Sequence, residues 1–365
     1  MVPTGRSFSP GGRRSTWRAI LLSSRAWRRA ALGYPFGMEP ETLRFYLGVD
    51  LGGTKIAVSL WAEDASRHVK KLHVERWETL PGGPSLNIER ICAAAARLTS
   101  MHDAGGGRPG GKTRIASIGI SGGGPLDPEA GVILSVPNLP GWVDVPIVAL
   151  LSARLGAPAR IENDANACAV AEWLHGAGRG ASHLAFLTCS TGMGAGLILD
   201  RKLYRGARFL AGEAGHQVIV PEGLPCGCGK RGCLEAYASG AGIARRLAAL
   251  REREPSLPGT ARDVVDRAKA GDSFSLAFLR ETAGYLAMGL ANLIFTLNLE
   301  RIVLGTIAAA AGPLLLDPLR EALADRLWPS LHEGLSVVPS ALWPELGDHA
   351  ALSVARDLPV ALHGA

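Results

Sequence analysis

LRFYLGVDLGGTKIAVSLW, residues 43–61, is the stretch on which the fold of this chain turns. Residues 43–50 read as a strand, Gly52 and Gly53 as a tight turn, and residues 56–61 as the returning strand of a hairpin. A third strand is expected near 69–77. Residues 85–101 then carry Ile88, Ile91, Cys92, Ala95 and Leu98 at helical spacing. AGGGRPGGK at 104–112 breaks the pattern as a loop insertion, because the strand expected at 115–120 completes the sheet begun at Leu43.

The second half repeats this beginning in outline. Residues 184–189 are apolar, STGMGAG at 190–196 is a Gly-rich turn, and an extended pattern resumes over 196–203. Strand, Gly/Thr turn, strand therefore occurs twice, at DLGGTK (50–55) and at STGMGAG. Glycines let backbone N–H groups approach an anion with no Cβ in the way, and a Thr hydroxyl adds a donor. Two such hairpins facing each other can hold a polyphosphate. Neither matches the Gly-x4-Gly-Lys-Ser/Thr phosphate loop, and neither opens a helix as the dinucleotide fingerprint requires.

Between the hairpins lies IENDANACAVAEW at 161–173. A short strand runs into Glu162, Asn163 and Asp164, and helical spacing follows through Ala167, Val170, Ala171 and Leu174. A carboxylate at a helix start is an ordinary N-cap. Asp164 is also placed at a strand end beside two phosphate turns, where a doubly wound sheet puts its chemistry.

GEAGH (212–216) followed by CGCGKRGCLE (226–235) brings three thiols and an imidazole together in a Gly-rich stretch that cannot hold a regular helix. Cys226, Cys228, Cys233 and His216 make a Cys3His structural zinc site; the alternative is a set of unpaired core thiols. The ion would brace a polar pocket, because it fixes where the flanking acids Glu213 and Glu235 point.

A chain of 365 residues with 47% apolar content is long enough for two domains and a well-buried core. It contains no run of eighteen apolar residues, so no membrane span is expected. Cys92, Cys168 and Cys189 lie in apolar surroundings as inert thiols, and the cysteine usage suits a reducing compartment rather than a disulfide framework. The formal charge of +6 invites a nucleic-acid reading, but the seven arginines of residues 1–37 account for all of it. That leader reads as translated upstream sequence ahead of a start at Met38, with a transit peptide or a basic arm as alternatives.

DLGGTK, ENDANA (162–167), STGMGAG, GEAGH and CGCGKRGCLE, in this order, resemble the ROK family of sugar kinases and related repressors, within the actin-like ATPase superfamily. The resemblance covers most of residues 43–355. It implies an α/β, two-lobed, duplicated ribonuclease-H-like fold with ATP and sugar in the interlobe cleft, a structural Zn²⁺, and a homodimer. On this reading residues 1–40 are a disordered basic leader, 41–160 a small lobe completed by a C-terminal helix at about 350–365, and 161–349 a large lobe with the zinc loop.

By the same resemblance Asp164 is the general base for the sugar's primary hydroxyl. Asn163, Glu213 and Glu235 grip other hydroxyls, and His216 both ligates zinc and borders the sugar. Asp50, Gly52, Gly53, Thr54 and Lys55 form the first phosphate segment, with Asp50 near Mg²⁺. Thr191 and Gly192 form the second. Asn138 belongs to a loop that closes over the sugar, Gly124 contacts the sugar through its backbone, and Gly305 lies in the adenine segment. The sequence departs from the family pattern twice. Thr306 follows Gly305 where a second glycine is common, and Gly123-Gly124 stands for Pro-Gly. The first departure is expected to narrow the purine pocket.

Three functions follow from the resemblance: an ATP-dependent glucose kinase, an N-acetylglucosamine or N-acetylmannosamine kinase, and a sugar-responsive repressor. Residues 1–42 are too short and too rich in Gly, Ser and Arg for the helix-turn-helix that such repressors carry, which leaves the kinases, with glucose as acceptor and no nucleic-acid or membrane partner. The cytoplasm is the expected location.

Overall fold

The computed structural model describes residues 43–104, 112–136 and 139–363. The basic leader with Met38, the middle of the 104–112 insertion, and Asn138 lie outside the described residues.

In chain order the strands are β1 (Arg44–Leu51), β2 (Lys55–Glu63), β3 (Val69–Glu78), β4 (Ile115–Gly122), the short β5 (Leu126–Asp127), β6 (Val132–Ser135) and β7 (Val143–Val145), then β8 (Ala159–Asn163), β9 (Leu184–Cys189), β10 (Met193–Leu199), β11 (Lys202–Tyr204), β12 (Arg301–Leu304) and β13 (Ser336–Pro339). Two five-stranded sheets form, ordered β3-β2-β1-β4-β8 and β11-β10-β9-β12-β13. Their pairings agree one for one. β1 is antiparallel to β2 and parallel to β4, which is parallel to β8. β9 is antiparallel to β10 and parallel to β12, which is parallel to β13. The antiparallel neighbours are joined by tight turns and the parallel ones by helical crossovers, as strand direction demands. The weak sequence duplication is thus a complete duplication of topology.

In the second half the extended pattern begins at Met193, three residues before the position expected from sequence, and it breaks at Asp200 and Arg201. Both residues have positive φ, 51° and 60°, and they turn the chain into β11. A second hairpin of this kind was hidden in the sequence because neither turn residue is Gly or Asn. β5, β6 and β7 form a small separate sheet inserted after β4.

The helices that follow β8 and β13 exchange sides. Helix Asp164–His175 packs against β9 and β10, whereas helix Leu346–Arg356 packs against β1 and β4, and the two helices touch. Each approaches its sheet over a glycine. A Cβ on Gly196 of β10 would lie 2.3 Å from the Ala165 carbonyl oxygen and 2.5 Å from Ala169 Cβ. A Cβ on Gly119 of β4 would lie 2.1 Å from the Ala351 carbonyl oxygen and 2.3 Å from the Ala355 nitrogen. Alanines at i and i+4 on the helix and a glycine in the strand are what bring backbones this close. Far from the strand ends the crossing is fastened by Glu172, which is fully buried and accepts from Ser340, Leu342 N and Ala177 N. His175 and Asp357 form a second tie at 2.7 Å. The crossing fixes where the first residues of both helices point, and both point to the chemistry.

Candidate active site

The site is assembled at the ends of β1, β8 and β9. At the β8 end, Asn163 and not Asp164 caps the helix: the Asn163 side-chain oxygen accepts from Ala165 N at 3.0 Å and from Asn166 N at 3.3 Å. The capping duty that competed for Asp164 in the sequence therefore falls on its neighbour. Asp164 Oδ1 accepts from Ala165 N, at 2.8 Å, and the residue is exposed to solvent. One side of the residue meets solvent while protein packs densely around the rest. That setting pushes its pKa above the ordinary carboxylate value, and the charge of Glu213 adds to the rise. The Asn163 amide nitrogen faces Gly124, lying 3.4 Å from where a Cβ on that glycine would be. The structure thus brings together Asn163, Asp164, Gly124 and Glu213.

Asp50, next to the end of β1, has its carboxyl raised to about 6, first by burial and then by the charge of Asp164, with Lys55 opposing. Two acids that repel each other beside a lysine form a donor set of the kind that takes Mg²⁺ with nucleotide phosphates. The N-terminal turn of helix Leu346–Arg356 presses on the same carboxylate: a Cβ on Gly347 would fall 2.4 Å from Asp50 Oδ2.

The two hairpin turns hold their backbone the same way. Residues 52–54 join β1 to β2, and residues 190–192 join β9 to β10. In the first, the Gly52 carbonyl accepts from Thr79 Oγ1 at 2.6 Å and the Thr54 carbonyl from Thr79 N at 2.9 Å. In the second, the Ser190 carbonyl accepts from Gly240 N at 2.6 Å and the Thr191 carbonyl from Ala241 N at 3.1 Å. A trans peptide places its N–H opposite its C=O. Carbonyls held from behind therefore turn the N–H groups of Gly53, Lys55, Thr191 and Gly192 outward, which is the geometry an anion needs. Sequence reading found the turns but missed Thr79, Gly240 and Ala241, which carry no motif of their own.

The four metal-ligand candidates converge. Their ligand atoms all lie within 4.8 Å of one another. Cys228 Sγ and Cys233 Sγ are 3.8 Å apart, and Cys226 Sγ is 3.7 Å from His216 Nδ1. A tetrahedron built on Zn–S bonds of about 2.3 Å has edges of about 3.8 Å, so these residues fit zinc. His216 uses Nδ1 toward the thiols and turns Nε2 to Glu213, 3.8 Å away. Glu235 has structural ties of its own. Its Oε2 accepts from Met193 N at 3.1 Å and its Oε1 lies 3.5 Å from Cys226 Sγ, so it ties the thiol loop to the second phosphate turn.

Gly305 is required by packing, since a Cβ there would meet Phe186 Cζ at 2.7 Å. Thr306 has φ +46°, a left-handed conformation that β-branched residues rarely adopt. A second glycine at this position would take that backbone without strain. Here the Thr306 hydroxyl compensates by accepting from Cys189 N at 3.0 Å, which turns the side chain toward the end of β9. Of the three remaining thiols only Cys189 is fully buried, while Cys92 and Cys168 are half-buried. Burial raises all three, Cys189 to about 12, and Cys168 is raised further by the charges of Asp164 and Asp50.

Duplicated sheets with crossed helices and a cleft between paired hairpins define the actin-like ATPase fold. Within it the chain belongs to the ROK family, whose family model matches residues 46–358. It is 34% identical over 321 residues to a glucokinase of Thermotoga maritima, covering 85% of this chain and 97% of that protein. The crystal structure of a ROK hexokinase from Thermus thermophilus matches with 33% identity and a TM-score of 0.69, over 85% of this chain and 97% of the other. A ROK glucokinase from Streptomyces griseus, solved with glucose and AMPPNP, matches with 30% identity and a TM-score of 0.72, over 86% of this chain and 99% of the other.

Proposed function

We propose that this ROK-family chain is an ATP-dependent hexokinase that transfers the γ-phosphoryl group to the primary hydroxyl of glucose, giving glucose 6-phosphate. The observation that carries the reading is the release of Asp164 from capping, which leaves a solvent-reached carboxylate of raised pKa beside Asp50 and Glu213. Asp164 takes the proton of the hydroxyl as its oxygen attacks the γ-phosphorus. Asn163, Glu213, His216 and Glu235 hold the remaining hydroxyls, so that attack is in line. The turns at 52–54 and 190–192 hold the phosphates, and the Gly305–Thr306 segment receives the adenine.

Phosphoryl transfer through a loose transition state needs placement and charge neutralisation more than covalent help. Asp50 would hold Mg²⁺, which would neutralise charge on the phosphate oxygens. His216, Cys226, Cys228 and Cys233 would hold Zn²⁺, which would stiffen the loop that orients Glu213 and Glu235. The glucokinases among the relatives support glucose as acceptor and ATP as donor. We place the enzyme in the cytoplasm as a homodimer; no described helix is long and apolar enough to cross a membrane.

The test is an ADP-release assay on the purified full chain with glucose, N-acetylglucosamine, N-acetylmannosamine, mannose and fructose. Glucose is expected to give the highest kcat/KM. A preference for an acetylated hexosamine would move the acceptor while keeping the mechanism, and no turnover with any of them would end the kinase reading. Light scattering on the same sample tests the dimer.

A further inference from the structure

Glu162 and Arg205 form a buried ion pair that the chemistry above does not use. Glu162 lies on β8 of the first sheet, with its side chain 1% exposed, and Arg205 follows β11 at the far edge of the second sheet, with its side chain 13% exposed. Nε and Nη2 of Arg205 both donate to Glu162 Oε2, at 2.9 and 2.5 Å. Oε1 is thereby left to accept from Asn163 N and from Asn166 Nδ2, each at 3.0 Å. Those two bonds hold the corner at which the chain leaves β8 and enters Asp164.

The other end of Arg205 organises a different part of the site. Its carbonyl accepts from Ala211 N at 3.0 Å and closes the 205–211 loop. The next residue, Gly212, has φ +91° and accepts from Ala195 N at 2.7 Å; a Cβ there would lie 1.9 Å from the Ala195 carbonyl oxygen. Glu213 and His216 follow at once. A buried ion pair contributes little net stability compared with an apolar pair of the same size, but losing one partner leaves an uncompensated charge. Its value here lies in geometry.

We propose that Arg205 is the positioning residue that joins the two halves of the sugar site, holding the Asn163–Asp164 corner through Glu162 and the Glu213–His216 arm through its own main chain. This rests on the assignment of Asp164 as base and of Glu213 and His216 as sugar ligands. A change at Arg205 moves the sugar and its base relative to each other and leaves the phosphate turns alone. A misplacement of about 1 Å lowers rates by about 100-fold.

The experiment compares Arg205→Met, Arg205→Lys, the double variant Glu162→Gln/Arg205→Met, and Asp164→Asn, each as the full chain, by melting temperature and by separate titrations of glucose and ATP. The double variant removes both charges and is expected to melt within a few degrees of the parent. Its kcat/KM for glucose is expected to fall about 100-fold, with glucose KM raised and ATP KM unchanged. Arg205→Lys, which keeps the charge but loses the two-pronged hold, is expected to fall between the parent and Arg205→Met. A double variant with parental glucose KM and kcat overturns the proposal, as does equal loss for both substrates. Asp164→Asn separates the two ideas. If it is inactive while the Arg205 variants behave as the parent, only the role of Arg205 is lost; if it turns over normally, the site assignment itself is wrong.

Discussion

After β8 the chain enters a helix at Asp164; after β13, the matching strand of the second sheet, it enters one whose first turn holds Asp348. Both helices cross to the opposite sheet, and each carries an acid in its first turn. Asp348 is 3% exposed, and its Oδ2 receives Lys71 Nζ at 2.7 Å together with Arg76 Nη2, both from β3. No described cation pairs with Asp164, whose neighbours in charge are the acids Glu213 and Asp50. Of these two acids near the helix starts, Asp348 is an anchor, while Asp164 is left without a described cation. The strand ends before the two turns diverge likewise: the place of Asp50 on β1 is taken on β9 by Thr188, which donates to Ser190 Oγ at 3.4 Å. Duplication fixes where chemistry can sit, and the side chains packed around each copy decide which copy performs it.

The sharpest break in this comparison is Asp164→Asn. It is expected to fold and bind glucose by calorimetry while kcat falls by at least about 10²–10⁴-fold. In the parent enzyme the acid limb of kcat should lie above the ordinary carboxylate range, because a base with a raised pKa is protonated sooner as pH falls. An acid limb at or below about 3.9 would contradict the burial argument.

Cys228→Ser probes what the second half has and the first lacks. Cys228 is the exposed thiol of the cluster, so the substitution leaves the core intact. Zinc content by metal analysis is expected to fall well below one per chain, with glucose KM rising and the melting temperature dropping. A variant that loses zinc but keeps glucose affinity would make the ion incidental to the sugar.

Asp348→Asn tests the anchor. Lys71 and Arg76 would face a neutral amide, and denaturant unfolding should register a loss of about 2 kcal/mol, less than a fully buried pair because Arg76 is partly exposed. Turnover should change by no more than a few-fold. A loss of activity as large as that of Asp164→Asn would show that the two acids have not diverged.

Asp50→Asn is expected to raise stability while damaging turnover. The folded-state pKa of about 6 stands above the ordinary aspartate value of 3.8, so the fold prefers the protonated acid. The contribution is favourable below pH 3.8 and is lost as pH rises through about 6. The variant should therefore gain about 3 kcal/mol at pH 8 and nothing at pH 3.5. Equal melting curves at pH 8 would remove the electrostatic strain from the account.

Thr306→Gly is expected to have the smallest effect. Relief of a left-handed Thr gains about 1 kcal/mol, and loss of the bond from Cys189 N costs about as much. ATP KM should move by less than about three-fold, which is under 1 kcal/mol. A large drop in ATP KM would restore the expectation that Thr306 narrows the purine pocket.

Much of the site was legible because its signals are short-range. The turns at 52–54 and 190–192 and the spacing of His216, Cys226, Cys228 and Cys233 depend on residues a few positions apart, and the structure brings each group together. The cap of the Asp164 helix was left open by the sequence, because Asn163 and Asp164 are both good caps and only the backbone register chooses between them. Arg205, Thr79 and Gly240 were invisible. Arg205 meets a partner 43 residues away, and one arginine among Arg201, Lys202 and Arg208 carries no periodic signal. The exchange of the two crossing helices was equally hidden, because Gly119 and Gly196 announce a close approach only when the opposing alanines are known.

The sequence by itself determined two hairpins, a metal-ligand set and the family to which they belong, since local spacing and backbone freedom are properties of contiguous residues. The tertiary structure decided which acids are anchors and which is free, because a carboxylate's charge state and partners depend on burial and on groups brought from other strands. Lys71 and Arg76 reach Asp348 across more than 270 positions, and no comparable pair reaches Asp164 among the described residues.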